Sequence, residues 1–362
     1  MAWVAKNVRG EETALAIGFG IIGCGMIAKF HARAIAEIAG VKLVACYNRT
    51  APKAAALTEE FGGQAYTDLD AMLARDDLQI VTVCSPSGAH MEPTVAAARA
   101  GKHVIVEKPL DVTLERCDAM IRACDEAGVK LATIFPSRFH RSSQLLKQAV
   151  EAGRFGKLTL GDAYVKWFRT QQYYDSGAWR GTWQFDGGGA LMNQAIHSVD
   201  LLLWLMGDVV EVSAYTTLLA HERIEVEDVA TATLRFKSGA LGVIEATTAA
   251  YPGTLKKIEI AGSHGMAILE EEDIIKWEFA EAIETDQRLR EEMLGRTKTG
   301  GGAADPAAIG HQAHAALFRS FLSALEEKTP LAIDGLEGRR SVELILAIYE
   351  SAKTGRKITL PT

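Results

Sequence analysis

A glycine turn set between an apolar strand and a helix constrains this chain more than any other feature. Leu15 to Ile22 is an apolar run, Gly23-Cys24-Gly25-Met26-Ile27-Ala28 follows it, and Lys29 to Ile38 carries Ala, Ile and Phe at helical spacing. A strand, a glycine turn and a helix in this order form the start of a dinucleotide-binding unit. Gly23 permits the tight turn, Gly25 lets the backbone approach a pyrophosphate, and the small Ala28 lets helix and strand pack closely. The phosphates then lie over the helix N-terminus, with Met26 and Ile27 in its first turn. A second match, Gly18-Phe19-Gly20-Ile21-Ile22-Gly23, lies inside the strand and opens no helix, so it is set aside.

The acidic residue expected about 20 positions downstream is missing. The second strand, Val41 to Tyr47, ends instead in Asn48-Arg49-Thr50. An Asp there would bind the ribose hydroxyls and repel a 2′-phosphate, whereas Asn48 cannot repel one and Arg49 can pair with it. The cofactor is therefore read as NAD or NADP. The alternative, with NAD, is that Arg49 is only a solvated residue at a strand end.

The chain has 362 residues, more than one ordinary core needs, so two domains are expected. Its 48% hydrophobic and 23% charged residues suit a soluble globular protein, and a net charge of −7 without a basic run speaks against nucleic acid. The longest apolar runs, such as Val199 to Met206 with Asp200 inside, are too short for a bilayer, so no membrane partner is expected. Met1 to Thr13 mixes Lys6, Arg9, Glu11 and Glu12 and lacks the apolar core of a signal peptide, which points to the cytoplasm. Cys24, Cys46, Cys84, Cys117 and Cys124 are odd in number and form no Cys-x-x-Cys pair, so reduced, buried thiols are expected rather than disulfides or a zinc knuckle.

Strand-like and helix-like runs alternate as far as Ile134. Helices are read at Pro52–Phe61, Asp68–Arg75, Pro93–Ala100 and Leu114–Ala127, with strands at Ala65–Thr67, Ile80–Cys84, His103–Val106 and Lys130–Ile134. Beyond Gly156 long strands take over: Leu158–Arg169, Val209–Thr217, Asp228–Phe236 and Ala240–Ala249, the last two joined by a Lys237-Ser238-Gly239 hairpin turn. The fold class is α/β. A Rossmann-type, doubly wound parallel sheet is expected over residues 14–137, and an α+β domain with a large, mostly antiparallel open sheet over 138–362. Thr297 to Pro306 reads as a mobile loop. Helices at His311–Glu327 and Gly338–Lys353 close the chain, the C-terminal one available to pack back on the first domain.

Three further segments bear on function. Gly101-Lys102-His103-Val104-Ile105-Val106-Glu107-Lys108-Pro109 delivers Glu-Lys-Pro at the carboxyl end of a strand, the edge where doubly wound sheets bind ligands. Ser85-Pro86-Ser87-Gly88-Ala89-His90 ends the preceding strand, and Gly187-Gly188-Gly189 runs into a helix bearing Asn193, His197 and Asp200. With the first glycine turn, these segments resemble the glucose-fructose oxidoreductase/inositol dehydrogenase/rhizopine catabolism (Gfo/Idh/MocA) family over nearly the whole chain. The resemblance implies a catalytic group of Lys108, Asn193 and His197, where many relatives carry Asp at the position of Asn193. It also implies a cofactor cleft lined by the Ser85 to His90 segment, and a homodimer or homotetramer formed through the C-terminal sheet. For His90, capping of the helix near Glu92-Pro93 is an equal alternative.

The chemistry of these residues agrees. Positions four apart on a helix share a face, so Asn193 and His197 are expected to point the same way. Oxidising a secondary alcohol needs a base for the hydroxyl proton as hydride leaves carbon, and a histidine suits that task. Lys108 would stabilise the developing alkoxide, with Glu107 beside it on the nicotinamide ribose. Asn193 cannot act as a base; in relatives resembling sugar-nucleotide and hexosaminuronate 3-dehydrogenases it looks like an orienter of substrate hydroxyls.

The segment Gln171 to Asp186 is dense in aromatic and polar groups, a platform on which Trp179 covers a sugar face while Arg180, Gln184 and Asp186 bind hydroxyls. A subunit contact is the alternative for Tyr173 and Tyr174. Arg138 matches an arginine that borders the substrate cleft in relatives. The loop has no cluster of basic residues, which speaks against a phosphorylated substrate. His311 and His314, three apart, lack an apparent third metal ligand; no catalytic metal is expected, and His311 is assigned to a helix face near the substrate. The reading is an NAD(P)-dependent sugar or polyol dehydrogenase. The alternatives are a redox-assisted glycoside-cleaving enzyme that recycles NAD and a non-catalytic, sugar-sensing regulator.

Overall fold

The computed structural model describes residues 4–6, 12–14, 16–293 and 310–361. The loop expected at Thr297–Pro306 lies outside the described residues, as does much of Met1–Thr13. Contacts divide the chain into two units, Met1–Pro136 with Gly310–Arg339, and Ser137–Ile309 with Arg340–Thr362.

In the first unit, a short pair β1 (Val4–Lys6) and β2 (Glu12–Ala14) precedes β3 (Ile17–Ile22), α1 (Met26–Ala36), β4 (Val41–Tyr47) and α2 (Ala51–Phe61). Then follow β5 (Gln64–Tyr66), α3 (Leu69–Leu73), β6 (Ile80–Val83), α4 (Met91–Arg99), β7 (His103–Val106), α5 (Leu114–Ala127) and β8 (Leu131–Thr133). The strands form one parallel sheet in the order β5-β4-β3-β6-β7-β8. β6 is buried along its whole length, as a strand covered on both faces must be, and its Ile-Val-Thr-Val sequence supplies that. The Thr113 hydroxyl accepts the Arg116 N–H to cap α5, and Gly128 closes it at φ +66. The set-aside glycines Gly18 and Gly20 are packing residues: a Cβ on Gly18 would stand 1.7 Å from the Asp77 carbonyl oxygen, and one on Gly20 2.4 Å from Met72.

The second unit contains α6 (Arg141–Glu151), β9 (Leu158–Lys166) and α7 (Gln171–Asp175). A π-helical turn, Ala190–Ala195, runs into α8 (Ile196–Met206). Six strands follow: β10 (Val209–Thr217), β11 (Val229–Phe236), β12 (Leu241–Thr247), β13 (Lys257–Gly262), β14 (Gly265–Glu270) and β15 (Asp273–Phe279), then α9 (Glu284–Met293). The chain continues through α10 (Gln312–Glu327), which belongs to the first unit, and α11 (Gly335–Thr354), within which the division falls, to β16 (Ile358–Thr359).

The eight-stranded sheet has the order β15-β14-β13-β9-β12-β11-β10-β16 and is antiparallel except between β9 and β12. Burial alternates along β11, so one face is covered and the other open. α8, apolar nearly all round, packs on the covered face; a Cβ on Gly161 of β9 would meet Met206 at 2.6 Å. In the first unit, the ring of Phe318 of α10 lies tilted against that of Phe19 of β3, with their centres 5.8 Å apart. Among the described residues no helix is long and apolar enough to cross a membrane.

Candidate active site

The carboxyl edge of the parallel sheet gathers the first set of expected residues. Gly23 has φ +94, and a Cβ there would lie 2.7 Å from the Ser85 nitrogen, so only glycine fits between β3 and the end of β6. A Cβ on Gly25, at the N-terminus of α1, would project into open space. It would enter a groove of about 330 Å³ lined by Cys24, Gly25, Met26, Lys29 and Lys53. Met26 is half exposed there and Ile27 is half buried behind it. A bare backbone at a helix N-terminus beside lysines fits a pyrophosphate.

Asn48 is engaged by the protein itself. Its Oδ1 accepts the Cys24 N–H at 3.2 Å and its amide donates to the Thr50 carbonyl, so it clasps the glycine turn to the end of β4. Arg49 is exposed, and among the described residues it forms no ion pair.

Two further cofactor assignments are corrected by burial. His90 is 1% exposed, with Nδ1 2.9 Å from the Pro109 carbonyl and Nε2 2.9 Å from the Ser85 carbonyl. It occupies the N-cap position of α4 without a side-chain capping hydrogen bond, and its ring ties the loop after β6 to the turn after Lys108. Ser85 donates to the Ala89 carbonyl within that loop. Glu107 does not face a ribose either. It is 6% exposed, its Oε1 lies 2.7 Å from His31 Nε2, and its Oε2 accepts the Lys108 N–H at 3.0 Å. Lys108 itself is half buried, immediately beyond this anchor.

The His311–His314 pair separates. His311 meets Glu37 at 2.5 Å, at the C-terminal end of α1 and so opposite the glycine turn, which removes it from the edge where substrate chemistry is expected. His314 is buried 3.7 Å from Glu107, its ring 5.3 Å from that of His31. His314 has other neighbours than His311: the ligand atoms of His31, Glu107 and His314 all lie within 4.8 Å of one another. The His31–Glu107 separation is that of a hydrogen bond. His31 Nδ1 meets the Thr82 hydroxyl at 2.7 Å on its other side. Burial pushes the His31 pKa down and favours the neutral ring. Burial also opposes charge on Glu107, but the hydrogen bond from His31 and the nearby His314 outweigh it and hold that carboxyl well below its usual range.

In the second unit the helix after the glycine run begins with wide turns. Asn193 lies in the π-helical turn and His197 in the first turn of α8, both half buried. Asp186 is not a hydroxyl binder. It is 1% exposed, takes the Gly181 N–H at 2.7 Å on Oδ2, and holds the Asn193 side-chain amide in a very short contact on Oδ1. The Asn193 carbonyl accepts from Gln194, and Gln194 accepts in turn from Arg169 at 2.9 Å.

Tyr173 joins this network. Its hydroxyl receives Arg180 at 2.6 Å and Gln194 at 3.0 Å. The Arg180 guanidinium stands 4.2 Å over the Tyr173 ring and 4.5 Å over that of Trp179, a stacked arrangement of cation and aromatic planes. Burial pushes the Tyr173 pKa up and that of Arg169 down. Arg138 is a correction: 4% exposed and doubly bonded to Asp200 at 2.6 and 2.9 Å, it packs against α8 rather than bordering a cleft. Arg169 and Gln194 were not assigned from sequence, because their roles appear only when the end of β9, α7 and the π-helical turn meet; Tyr173, read as platform or subunit contact, is their hydrogen-bonding neighbour.

The sequence model described as the oxidoreductase family, NAD-binding Rossmann fold, matches residues 17–135, and that of the GFO/IDH/MocA C-terminal domain matches 143–268. The chain is 36% identical to a myo-inositol 2-dehydrogenase of Thermotoga maritima, over 68% of this chain and 73% of that one. It is 26% identical to a D-glucoside 3-dehydrogenase of Escherichia coli, over 98% of this chain and 100% of that one. Among solved structures, the WlbA dehydrogenase from Bordetella pertussis, in complex with NADH and UDP-GlcNAcA, superposes with a TM-score of 0.86 at 37% identity, over 97% of this chain and 99% of that one. From the glycine turn through the eight-stranded sheet, this chain belongs to the Gfo/Idh/MocA family of NAD-binding oxidoreductases.

Proposed function

We propose that this NAD-dependent enzyme oxidises a ring secondary hydroxyl of a hexuronic acid carried on a nucleotide, with Lys108, Asn193 and His197 as its catalytic group. The observation that carries the dehydrogenase reading is the carboxyl edge of the parallel sheet. There the open backbone of Gly25 and the anchored Lys108 occupy the ends of β3 and β7 in one unit. NAD, when bound, supplies the hydride acceptor. His197 takes the hydroxyl proton on a ring nitrogen, and the Lys108 ammonium stabilises the forming alkoxide. Asn193, held by Asp186 and Gln194, orients a neighbouring hydroxyl. Gly23, Gly25, Met26 and Ile27 seat the dinucleotide.

The carboxylated substrate is supported by the UDP-GlcNAcA complex of the Bordetella relative and by the guanidinium groups of Arg169 and Arg180, 5.5 and 4.2 Å from the centre of the Tyr173 ring. That pair offsets the lack of a basic cluster in the loop sequence, since Arg169 comes from beyond the end of β9. The test is a screen of UDP-N-acetylglucosaminuronate, free hexuronic acids, myo-inositol and glucosides at the reduced-nicotinamide absorbance band. NADH should form in proportion to keto-sugar with the nucleotide-linked acid. Reaction with inositol or glucosides alone would overturn the substrate class, and aglycone release without net NADH would favour glycoside cleavage.

Self-association through the second-unit sheet is part of this reading. Leu160 and Leu241 are register partners on β9 and β12, each 47% exposed, and Tyr215 of β10 is also exposed. A homodimer or homotetramer through this face covers them. All five cysteines are free, which suits the reducing cytoplasm. Native mass spectrometry should give an even number of chains, and Leu160→Lys should lower it.

A further inference from the structure

Glu227, just ahead of β11, is 4% exposed and has no part in the chemistry described above. Its Oε2 accepts the Gly189 N–H at 2.9 Å, and its Oε1 accepts the Leu191 N–H at 2.9 Å and the Tyr349 hydroxyl at 3.0 Å. Its backbone carbonyl accepts the Ala190 N–H at 3.1 Å. Three successive peptide N–H groups at the start of the π-helical turn therefore close on one residue. We propose that Glu227 is a positioning residue for the reaction, an anionic clasp that fixes the turn carrying Asn193 and leading into His197. The proposal rests on the assignment of Asn193 and His197 given above.

The glycine run is shaped for this clasp. A Cβ on Gly189 would fall 1.8 Å from the Glu227 carbonyl oxygen, and one on Gly188 2.0 Å from the Tyr349 hydroxyl. Gly188 and Gly189 therefore admit the close approach of strand and tyrosine that the clasp requires. The opening N–H groups of a helix have no partner within the helix, and a carboxylate at that end answers both their hydrogen bonding and the positive end of the dipole. A neutral carboxyl accepts these donors more weakly and has to place an O–H of its own among them.

The other titratable groups are accounted for. Tyr349 comes from α11, and Tyr174 of α7 senses the charge of Glu227. On the same segment, Asp228 turns to the N–H groups of Leu219, Ala220 and His221, and Glu225 to that of Trp183. Burial raises Glu227 to about 7, against the pull of the two N–H donors and Tyr349.

The experiment measures kcat against pH with the substrate found in the screen, for the wild type, Glu227→Gln, Tyr349→Phe and His197→Ala, with NADH affinity by fluorescence titration. In the wild type the acid limb of log kcat should approach a slope of two, one proton from the base His197 and one from Glu227. Glu227→Gln should lower kcat by at least about tenfold through misplacement of the turn that carries Asn193 and leads into His197, with NADH affinity unchanged and the slope reduced to one. Tyr349→Phe keeps the carboxylate but removes a donor that favours its charge, so the limb should move to higher pH. Wild-type kcat and limb in Glu227→Gln would overturn the proposal while an inactive His197→Ala leaves the catalytic reading standing. Full activity in His197→Ala would overturn both. If Glu227→Gln does not fold, an unmoved limb in Tyr349→Phe overturns the proposal by itself.

Discussion

His31 Nε2 lies 2.7 Å from the Glu107 carboxylate, whose other oxygen takes the Lys108 N–H at 3.0 Å. A neutral imidazole and an ionised, buried carboxylate thus hold the backbone of the proposed catalytic lysine. Glu107→Leu removes both carboxylate oxygens, so His31 Nε2 and the Lys108 N–H each lose this acceptor. A buried donor left unmet costs about 1–3 kcal/mol. Urea unfolding at neutral pH should show a loss of that size.

The same network sets an acid limit on stability. The folded-state pKa of His31 is depressed, so below the ordinary histidine value of about 6.5 the unfolded chain binds a proton that the folded chain refuses. Stability should fall as pH drops from 7.5 to 5.5. His31→Gln should be less stable at pH 7.5 yet lose less over that interval. An equal pH loss in variant and wild type would move the acid sensitivity elsewhere.

Gly25→Asp should abolish dinucleotide binding in a folded protein, because the new carboxylate enters the groove where a pyrophosphate belongs. Isothermal calorimetry with NAD reads this directly. Arg49→Ala should leave NAD affinity nearly unchanged and weaken NADP, since the exposed guanidinium can pair only with the 2′-phosphate.

Within the catalytic group, His197→Ala should lower turnover by about 100- to 10,000-fold and Lys108→Met by a comparable factor. If the two share one substrate oxygen as proposed, the double variant should be little worse than the poorer single one. Asn193→Asp has a specific penalty here, for it sets a second carboxylate against Asp186. The pair would share a proton and one pKa would rise, so the destabilisation should grow as pH increases through that raised value. Thermal melts from pH 5 to 9 would reveal it.

Arg138→Met should cost about 3–5 kcal/mol, because it deprives the buried Asp200 of its guanidinium partner. NADH affinity should be untouched. A surface ion pair would instead give a change within about 1 kcal/mol.

The parts of the fold legible in the sequence are those written locally. β6 and β7 are short apolar runs, α5 carries its cap and closing glycine, and the dinucleotide turn is a contiguous string whose neighbours announce it. β13 to β15 were not anticipated although Lys257-Ile258-Glu259-Ile260 alternates. The outer face of β13 is polar but that of β14 carries Met266 and Ile268, so no single alternation runs through the three strands, and the run Glu270 to Asp273, which makes the turn between β14 and β15, is acidic throughout. α6, α7 and α9 were missed as well. Motifs put Lys108, Asn193 and His197 forward as candidates, whereas the contacts of Glu107 with the Lys108 N–H and of Asp186 with Asn193 were not legible. Glu107 and His31 are 76 residues apart, and Gly189 and Glu227 are 38 apart. No periodicity reports which buried carboxylate will meet which distant donor, and that is why Glu107, Asp186 and Asn48 were first assigned to ligands and prove to hold protein.

The first unit is completed by Gly310–Arg339, which brings Phe318 against Phe19 and His314 beside Glu107. A ribosome delivers the chain from its N-terminus, so the parallel sheet emerges with that apolar face bare and keeps it bare while all of β9 to β15 is synthesised. During that interval the nascent protein presents Phe19 and its neighbours to chaperones or to other nascent chains. The dinucleotide-binding half, though encoded first, is among the last parts of the molecule to be finished.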